Sequence, residues 1–163
     1  MRKEERIGKI LKERGLSLAC AESITGGLIS DRITDVPGSS SYFKGSIVCY
    51  SVQAKMDLLS IPEHLIREKG VISAEVAERM AEGVRETMGS DIGLSTTGLA
   101  GPEGSEGKPV GTVFVGLSAP GHTLVRTLSL QGDRRTIKEA ASEAALDLLI
   151  SFLEESHEGL SCF

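Results

Sequence analysis

The stretch DIGLSTTGLAGPEGSEGKPVGTVFVGLSAPGHTLVRTLSL, residues 91–130, decides the fold class of this chain. Residues 91–96 predict a strand that runs into the most glycine-rich stretch of the sequence. Residues 111–118 and 123–130 then predict a hairpin joined by a Pro-Gly turn. Because a hairpin pairs its strands antiparallel, the sheet of this protein must contain at least one antiparallel strand.

Upstream of that stretch, predicted helices alternate with predicted strands. Apolar periodicity, capping residues and glycines that end helices predict the other elements of the chain. The predicted strands are 16–21 and 45–51. The predicted helices are a first one that ends at Gly15, then 25–33, 53–59, 62–69 and 73–88, and a last one from Asp133 to 154. This order predicts an α/β fold, a three-layer α/β/α sandwich with a mixed, mostly parallel sheet of about five strands. We expect residues 1–163 to form one domain with a loose tail at 156–163.

Composition and charge exclude several classes of function. The 163 residues are 40% hydrophobic and 25% charged, an ordinary globular balance, and no apolar run is long enough to span a bilayer. A net charge of −5 argues against nucleic acid as a partner, and the N-terminus lacks the apolar stretch of a secretory signal. The three cysteines and three histidines show neither disulfide nor metal-ligand spacing. We therefore expect a cytoplasmic protein without a metal, a membrane partner or a nucleic-acid partner.

The segment AESITGG, residues 21–27, lies between a predicted strand and a predicted helix. Ser23 is a candidate nucleophile there, and the backbone N–H groups near Gly26 and Gly27 would point at an oxyanion or a phosphate at the helix start. The alternative is structural, with Ser23 or Thr25 as the N-cap and the glycines allowing the helix to pack closely on the sheet. Residue types alone leave both interpretations open.

The segment YSVQAK, residues 50–55, follows the next predicted strand and offers a base for a serine nucleophile. Lys55 can accept a proton only as a neutral amine, which burial or a neighbouring cation would favour. Tyr50 could hold that amine in place and share the proton. The alternative is that Tyr50 packs at a strand end and that Lys55 is an exposed surface charge, as most lysines are.

Two further segments contain candidate ligand-binding groups. The glycine-rich loop at residues 96–112 follows a strand and is able to form an anion-binding nest, with a flexible loop as the alternative. Arg134 follows Asp133, a candidate N-cap, in the first turn of the last helix, where the helix dipole disfavours a cation. That placement is explained if the planar guanidinium of Arg134 binds a phosphate through two hydrogen bonds. The alternative is an exposed arginine without a role.

Together these segments resemble one family over nearly the whole chain. The motifs AESITGGLIS, DVPGSSSYFKGSIVCYSVQAK, GVISAEVAERMA, TTGLAGPEG with KPVGTV, and GDR occur in order between residues 18 and 150. They are similar to the C-terminal domain of the competence/damage-inducible CinA proteins, a domain that also occurs alone as a nicotinamide mononucleotide deamidase. One difference lies at Ile24, where the family usually has cysteine, and we interpret it as a change in packing.

The resemblance implies hydrolysis of nicotinamide mononucleotide to nicotinate mononucleotide and ammonia in pyridine-nucleotide (NAD) recycling. It also implies an α/β/α sandwich that acts as a homodimer or higher homo-oligomer without a cofactor. It places the catalytic serine, tyrosine and lysine at Ser23, Tyr50 and Lys55. Substrate contacts are expected, from the resemblance and from the segments above, at Thr25, Gly26, Gly27, Thr97, Gly98, Ala100, Gly101 and Arg134.

A mechanism follows from these assignments as a hypothesis. Lys55 takes the proton of Ser23, Ser23 attacks the carboxamide carbon, and N–H groups near Gly26 stabilise the oxyanion. Lys55, aided by Tyr50, protonates the departing ammonia, while Arg134 and the glycine-rich loop hold the phosphate. Two alternatives stay open, a non-catalytic pyridine-nucleotide-binding regulatory module and a structural or interaction domain without a ligand. The first of these would not need Tyr50 and Lys55 together.

Overall fold

The computed structural model describes residues 1–158, in which helices and strands alternate before a hairpin and a long last helix. The helices are α1 (Lys3–Arg14), α2 (Leu28–Thr34), α3 (Val52–Leu59), α4 (Glu63–Lys69), α5 (Ala74–Met88) and α6 (Arg134–Glu158). The strands are β1 (Leu18–Glu22), β2 (Phe43–Val48), β3 (Ile92–Gly98), β4 (Thr112–Ala119) and β5 (His122–Ser129), and a 3₁₀ turn covers Ser39–Ser41. None of the helices in the described range combines the length and the hydropathy that a bilayer-spanning helix needs.

The five strands form one mixed sheet in the order β2-β1-β3-β4-β5. β1 pairs in parallel with β2 and β3, whereas β4 pairs antiparallel with β3 and β5. Four strands therefore point the same way, and β4 runs against them. This confirms the predicted mixed, mostly parallel sheet, and it brings the carboxyl ends of β1, β2 and β3 to one edge.

Helices cover both faces of this sheet because the side chains of β1 alternate between two cores. Leu18 and Cys20 pack in one core with apolar residues of α1, α2 and α6. Ala19 and Ala21 pack in the other core with apolar residues of α3 and α5. A strand buried on both faces is apolar at successive positions, which explains the continuous LACA of β1. The three layers confirm the predicted α/β/α sandwich.

Several element boundaries differ from the sequence prediction; β1 covers Leu18–Glu22 instead of 16–21, and β2 covers Phe43–Val48 instead of 45–51. The sequence predicts α2 from residue 25, but the helix begins at Leu28, because the backbone at Gly26 and Gly27 is left-handed, with φ of 59° and 107°. α6 continues to Glu158, beyond the predicted start of a loose tail at Ser156. The rest of that predicted tail, residues 159–163, lies outside the described residues.

α5 lies directly on the sheet because glycines leave no side chain between them. A Cβ added to Gly93 of β3 would lie 2.1 Å from the Ala81 carbonyl oxygen, and one added to Gly116 of β4 would lie 2.5 Å from the Ala77 carbonyl oxygen. Both oxygens are backbone atoms of α5, so a side chain at either glycine could be accommodated only by moving the helix.

We expect Gly93→Ala to lower the free energy of unfolding by about 1–3 kcal/mol, the usual cost of overpacking a close contact. Urea denaturation followed by circular dichroism measures this difference. Glu86→Ala, at an exposed position of α5, is the control and should change the free energy of unfolding by less than about 0.5 kcal/mol. Equal stability of Gly93→Ala and the wild type would show that α5 shifts away from the sheet at little cost.

Candidate active site

A cavity of about 290 Å³ opens where β1 and β3 end at the carboxyl edge of the sheet. Seven residues predicted from the sequence line it: Ser23, Tyr50, Lys55, Gly98, Ala100, Gly101 and Arg134. Five further residues complete the lining: Ile24, Val71, Ile72, Leu99 and Glu103. The fold thus gathers residues from distant parts of the chain around one open space.

Lys55 is among the most deeply buried side chains of the described structure, with 2% of its surface exposed. Its Nζ donates to the Ser23 Oγ at 3.0 Å and to the Cys49 carbonyl oxygen at 2.9 Å. Burial lowers the pKa of the Lys55 amine, and the nearby Cys49 thiol opposes this shift in part. An exposed surface lysine, the alternative that the sequence left open, is therefore wrong.

The positions of both groups follow from the strands that precede them. Ser23 directly follows β1, and β2 lies beside β1 in parallel, so the segments after both strands meet at one edge. Ser51 caps α3 by accepting a hydrogen bond from the Ala54 N–H at 3.1 Å, which starts the helix soon after β2. Lys55 and Leu59, one helical turn apart, then form the buried face of α3.

Glu22, the last residue of β1, has a fully buried carboxylate that the sequence analysis did not single out. It accepts hydrogen bonds from the N–H groups of Ile29 (2.8 Å) and Ser30 (3.1 Å) and from the hydroxyls of Ser30, Thr25 (2.8 Å) and Ser46 (3.1 Å). A carboxylate at a helix start satisfies N–H groups that have no partner within the helix. Glu22 therefore holds the start of α2 and the turn after β1. The sequence signal that could have identified Glu22 is an acidic residue just before a predicted helix.

Four predicted contact residues, Thr25, Gly26, Gly27 and Thr97, are not among the residues that line the cavity. Thr25 is buried with its hydroxyl donating to a carboxylate, and the Thr97 hydroxyl donates to a backbone carbonyl at 3.2 Å. The Gly26 N–H donates to the Ser23 carbonyl oxygen at 3.1 Å. The sequence analysis expected N–H groups near Gly26 to stabilise the oxyanion, and this bond removes the Gly26 N–H itself from those donors.

Arg134 connects the segment after β2 to the glycine-rich loop. Its Nη2 donates to the Tyr50 hydroxyl at 2.6 Å, and its Nη1 donates to the Gly101 carbonyl oxygen at 2.5 Å. Tyr50 is 62% exposed, and within the described residues its hydroxyl bonds Arg134 and not Lys55. The predicted role of Tyr50 in holding the lysine amine is therefore corrected, because the Cys49 carbonyl holds that amine.

The glycine-rich loop between β3 and β4 is fastened to the turn before α5 by Glu106. Its carboxylate accepts from the Val71 N–H at 2.7 Å and from the Ile72 N–H at 3.0 Å, and both of these residues line the cavity. Glu106 has a left-handed backbone, with φ of 55°, which is uncommon for a residue other than glycine. These bonds hold one wall of the cavity in place. The sequence analysis missed Glu106 because no local pattern pairs residues 35 positions apart.

Comparison with known proteins identifies the family. The sequence model described as the CinA C-terminal domain matches residues 1–153. The chain belongs to the CinA family. CinA-like proteins of Geotalea daltonii and Chloroherpeton thalassium are 51% identical over 144 residues and 47% identical over 158 residues. These matches cover 88% and 94% of this chain but 35% and 38% of the relatives, so the chain spans just over a third of their length.

Solved structures of CinA-family proteins have the same fold. A competence-damaged protein (CinA) superfamily protein from Escherichia coli has a TM-score of 0.90 at 29% identity, covering 92% of this chain and 88% of that chain. The competence/damage inducible protein CihA from Agrobacterium tumefaciens has a TM-score of 0.89 at 32% identity, covering 93% of each chain. Membership of the CinA family thus agrees with the α/β fold described above.

Proposed function

We propose that this CinA-family chain is an amidohydrolase that converts nicotinamide mononucleotide to nicotinate mononucleotide and ammonia. The observation that carries the proposal is the 3.0 Å contact between the buried Lys55 amine and the Ser23 hydroxyl, both on the wall of an open cavity. A serine nucleophile needs a neighbouring base. A lysine whose pKa is lowered by burial supplies a neutral amine more readily than an exposed lysine does.

Ser23 acts as the nucleophile, and Lys55 acts as the base that accepts its proton. As the Ser23 Oγ forms a bond to the carboxamide carbon, the hydroxyl proton moves to the neutral amine. The carbon–nitrogen bond then breaks, and the same proton leaves with the amide nitrogen as ammonia. Water attacks the resulting ester, Lys55 passes a proton of that water to the Ser23 oxygen, and nicotinate mononucleotide is released. The Cys49 carbonyl keeps the amine in place.

The oxyanion of the tetrahedral intermediate needs a donor other than Gly26. Cavity-lining residues whose N–H groups donate to no acceptor within residues 1–158 include Ile24 and Ala100. Ile24 directly follows the nucleophile, the position that supplies an oxyanion donor in hydrolases with a nucleophile between a strand and a helix. We assign the oxyanion to the Ile24 N–H, with the Ala100 N–H as a second donor. A backbone donor works equally well with isoleucine or cysteine at residue 24.

Arg134 is the cation that binds the substrate phosphate in this proposal. Tyr50 and Gly101 occupy two of the five N–H groups of its guanidinium, which leaves three for an anion. The same two bonds hold the planar guanidinium in a set orientation, which favours bidentate binding of a phosphate. The cavity of about 290 Å³ lies at the lower end of the size range of small-molecule sites.

An ammonia assay with nicotinamide mononucleotide tests this proposal. The purified chain should release ammonia and nicotinate mononucleotide in equal amounts over many turnovers. If the nucleotide raises the melting temperature but no ammonia appears, the chain is a non-catalytic binding module and the amidohydrolase proposal is wrong. If neither effect is seen, both functions are contradicted.

A further inference from the structure

A second cation of α6, Lys138, lies one helical turn after Arg134 and beside the turn that bears Ser23. A Cβ added to Gly26 would lie 3.5 Å from the Lys138 Nζ. Gly26 in turn donates its N–H to the Ser23 carbonyl oxygen at 3.1 Å. The Lys138 amine therefore stands next to the backbone that carries the proposed nucleophile, and no side chain at residue 26 separates the two.

Lys138 has no acidic partner in the part of the chain that the structure describes. Its side chain is half-buried, yet its amine makes neither a hydrogen bond nor an ion pair with residues 1–158. Arg135, by contrast, pairs with Glu139 at 2.7 Å, and both of these side chains are exposed. Among the described residues, the buried side-chain nitrogen and oxygen atoms without a partner are those of Tyr42 and Arg85, so the Lys138 amine is open to solvent. Lys138 does not itself line the cavity, and its amine is available to an anion beside the turn that bears Ser23.

We propose that Lys138 binds the phosphate of the substrate together with Arg134 and is a specificity-determining residue for phosphorylated over unphosphorylated nucleosides. This inference rests on the proposed function. Side chains four residues apart on a helix lie on one face, about 5–6 Å apart at their Cβ atoms, so one phosphate can contact both cations. Arg134 is held by Tyr50 and Gly101, whereas the flexible stem of Lys138 lets its amine move toward the anion.

Lys138→Gln tests this assignment, and Arg135→Gln, which removes a neighbouring cation of the same helix, is the matched control. We expect Lys138→Gln to raise the KM for nicotinamide mononucleotide about tenfold, the effect of losing one charge-assisted contact, with kcat nearly unchanged. The dissociation constant for nicotinamide riboside, which lacks the phosphate, should be the same in variant and wild type. Lys138→Arg should restore most of the affinity because it keeps the charge. Arg135→Gln should leave unchanged both the KM for nicotinamide mononucleotide and the dissociation constant for nicotinamide riboside.

Titration calorimetry with ribose 5-phosphate separates this test from that of the proposed function. The dissociation constant for ribose 5-phosphate should rise about tenfold in Lys138→Gln whether or not the wild type releases ammonia. That rise without ammonia release by the wild type would contradict the amidohydrolase and uphold the phosphate site. Equal affinity of ribose 5-phosphate for variant and wild type, or no binding to the wild type, would overturn the role of Lys138. An equal loss of affinity for the riboside and the mononucleotide would overturn it as well.

Discussion

Ser23→Ala is expected to lower the rate of ammonia release from nicotinamide mononucleotide by about a thousandfold or more, as loss of the nucleophile does in other hydrolases. The variant lacks the oxygen that attacks the carboxamide carbon, and within the described residues the Lys55 amine bonds no other hydroxyl. The dissociation constant for the nucleotide should change little, because the phosphate is bound elsewhere in the cavity. The ammonia assay gives the rate, and titration calorimetry gives the dissociation constant.

Ser41→Ala is the matched control for this experiment. It removes an exposed hydroxyl that donates to the Gly38 carbonyl oxygen at 2.9 Å and that does not line the cavity, so turnover should equal that of the wild type. Wild-type turnover by Ser23→Ala would rule out a serine nucleophile. Attack by a water molecule that Lys55 activates directly would then be the chemistry of this cavity.

Lys55→Met should lower the same rate by about a hundred- to ten-thousandfold, the usual contribution of a general base. Methionine keeps an unbranched side chain in the buried position but cannot accept a proton. In the wild type, the rate should rise with pH along a limb set by the pKa of Lys55, because the neutral amine is the active form. Burial lowers that pKa, so this limb lies below the ordinary lysine value of about 10.4. Initial rates across a pH series measure it, and a rate without such a limb would contradict lysine as the base.

The same pKa shift determines how Lys55 changes stability with pH. The pKa of Lys55 is lower in the folded chain than in the unfolded chain, so between the two values the unfolded chain binds more protons. The contribution of Lys55 to the free energy of unfolding therefore rises with pH through this window and is lowest below the folded-state pKa. Urea denaturation at several pH values should show this rise in the wild type and in Lys44→Met, a control at an exposed lysine, but not in Lys55→Met.

Ser23 and Lys55 show how much of the site's arrangement residue patterns alone can predict. Both follow neighbouring strands, and the rule that parallel strands end at one edge predicts that their segments meet there. That rule does not orient side chains, and residue types alone favoured a solvated Lys55, because most lysines are exposed. Tyr50, only five positions away, is exposed and bonds Arg134. The burial of one and the exposure of the other follow from how α3 packs against the rest of the fold.

By itself, the sequence determined the order of elements, the mixed sheet and the segments that follow each strand, because apolar periodicity, glycine stops and hairpin turns are local signals. Only the tertiary structure decided that Glu22 holds the start of α2 and that Glu106 holds the cavity wall. Contacts such as Glu106 with Val71 and Arg134 with Tyr50 join residues 35 and 84 positions apart. Which residues contact each other at such separations depends on how whole helices and strands pack together. A local sequence pattern does not contain this information.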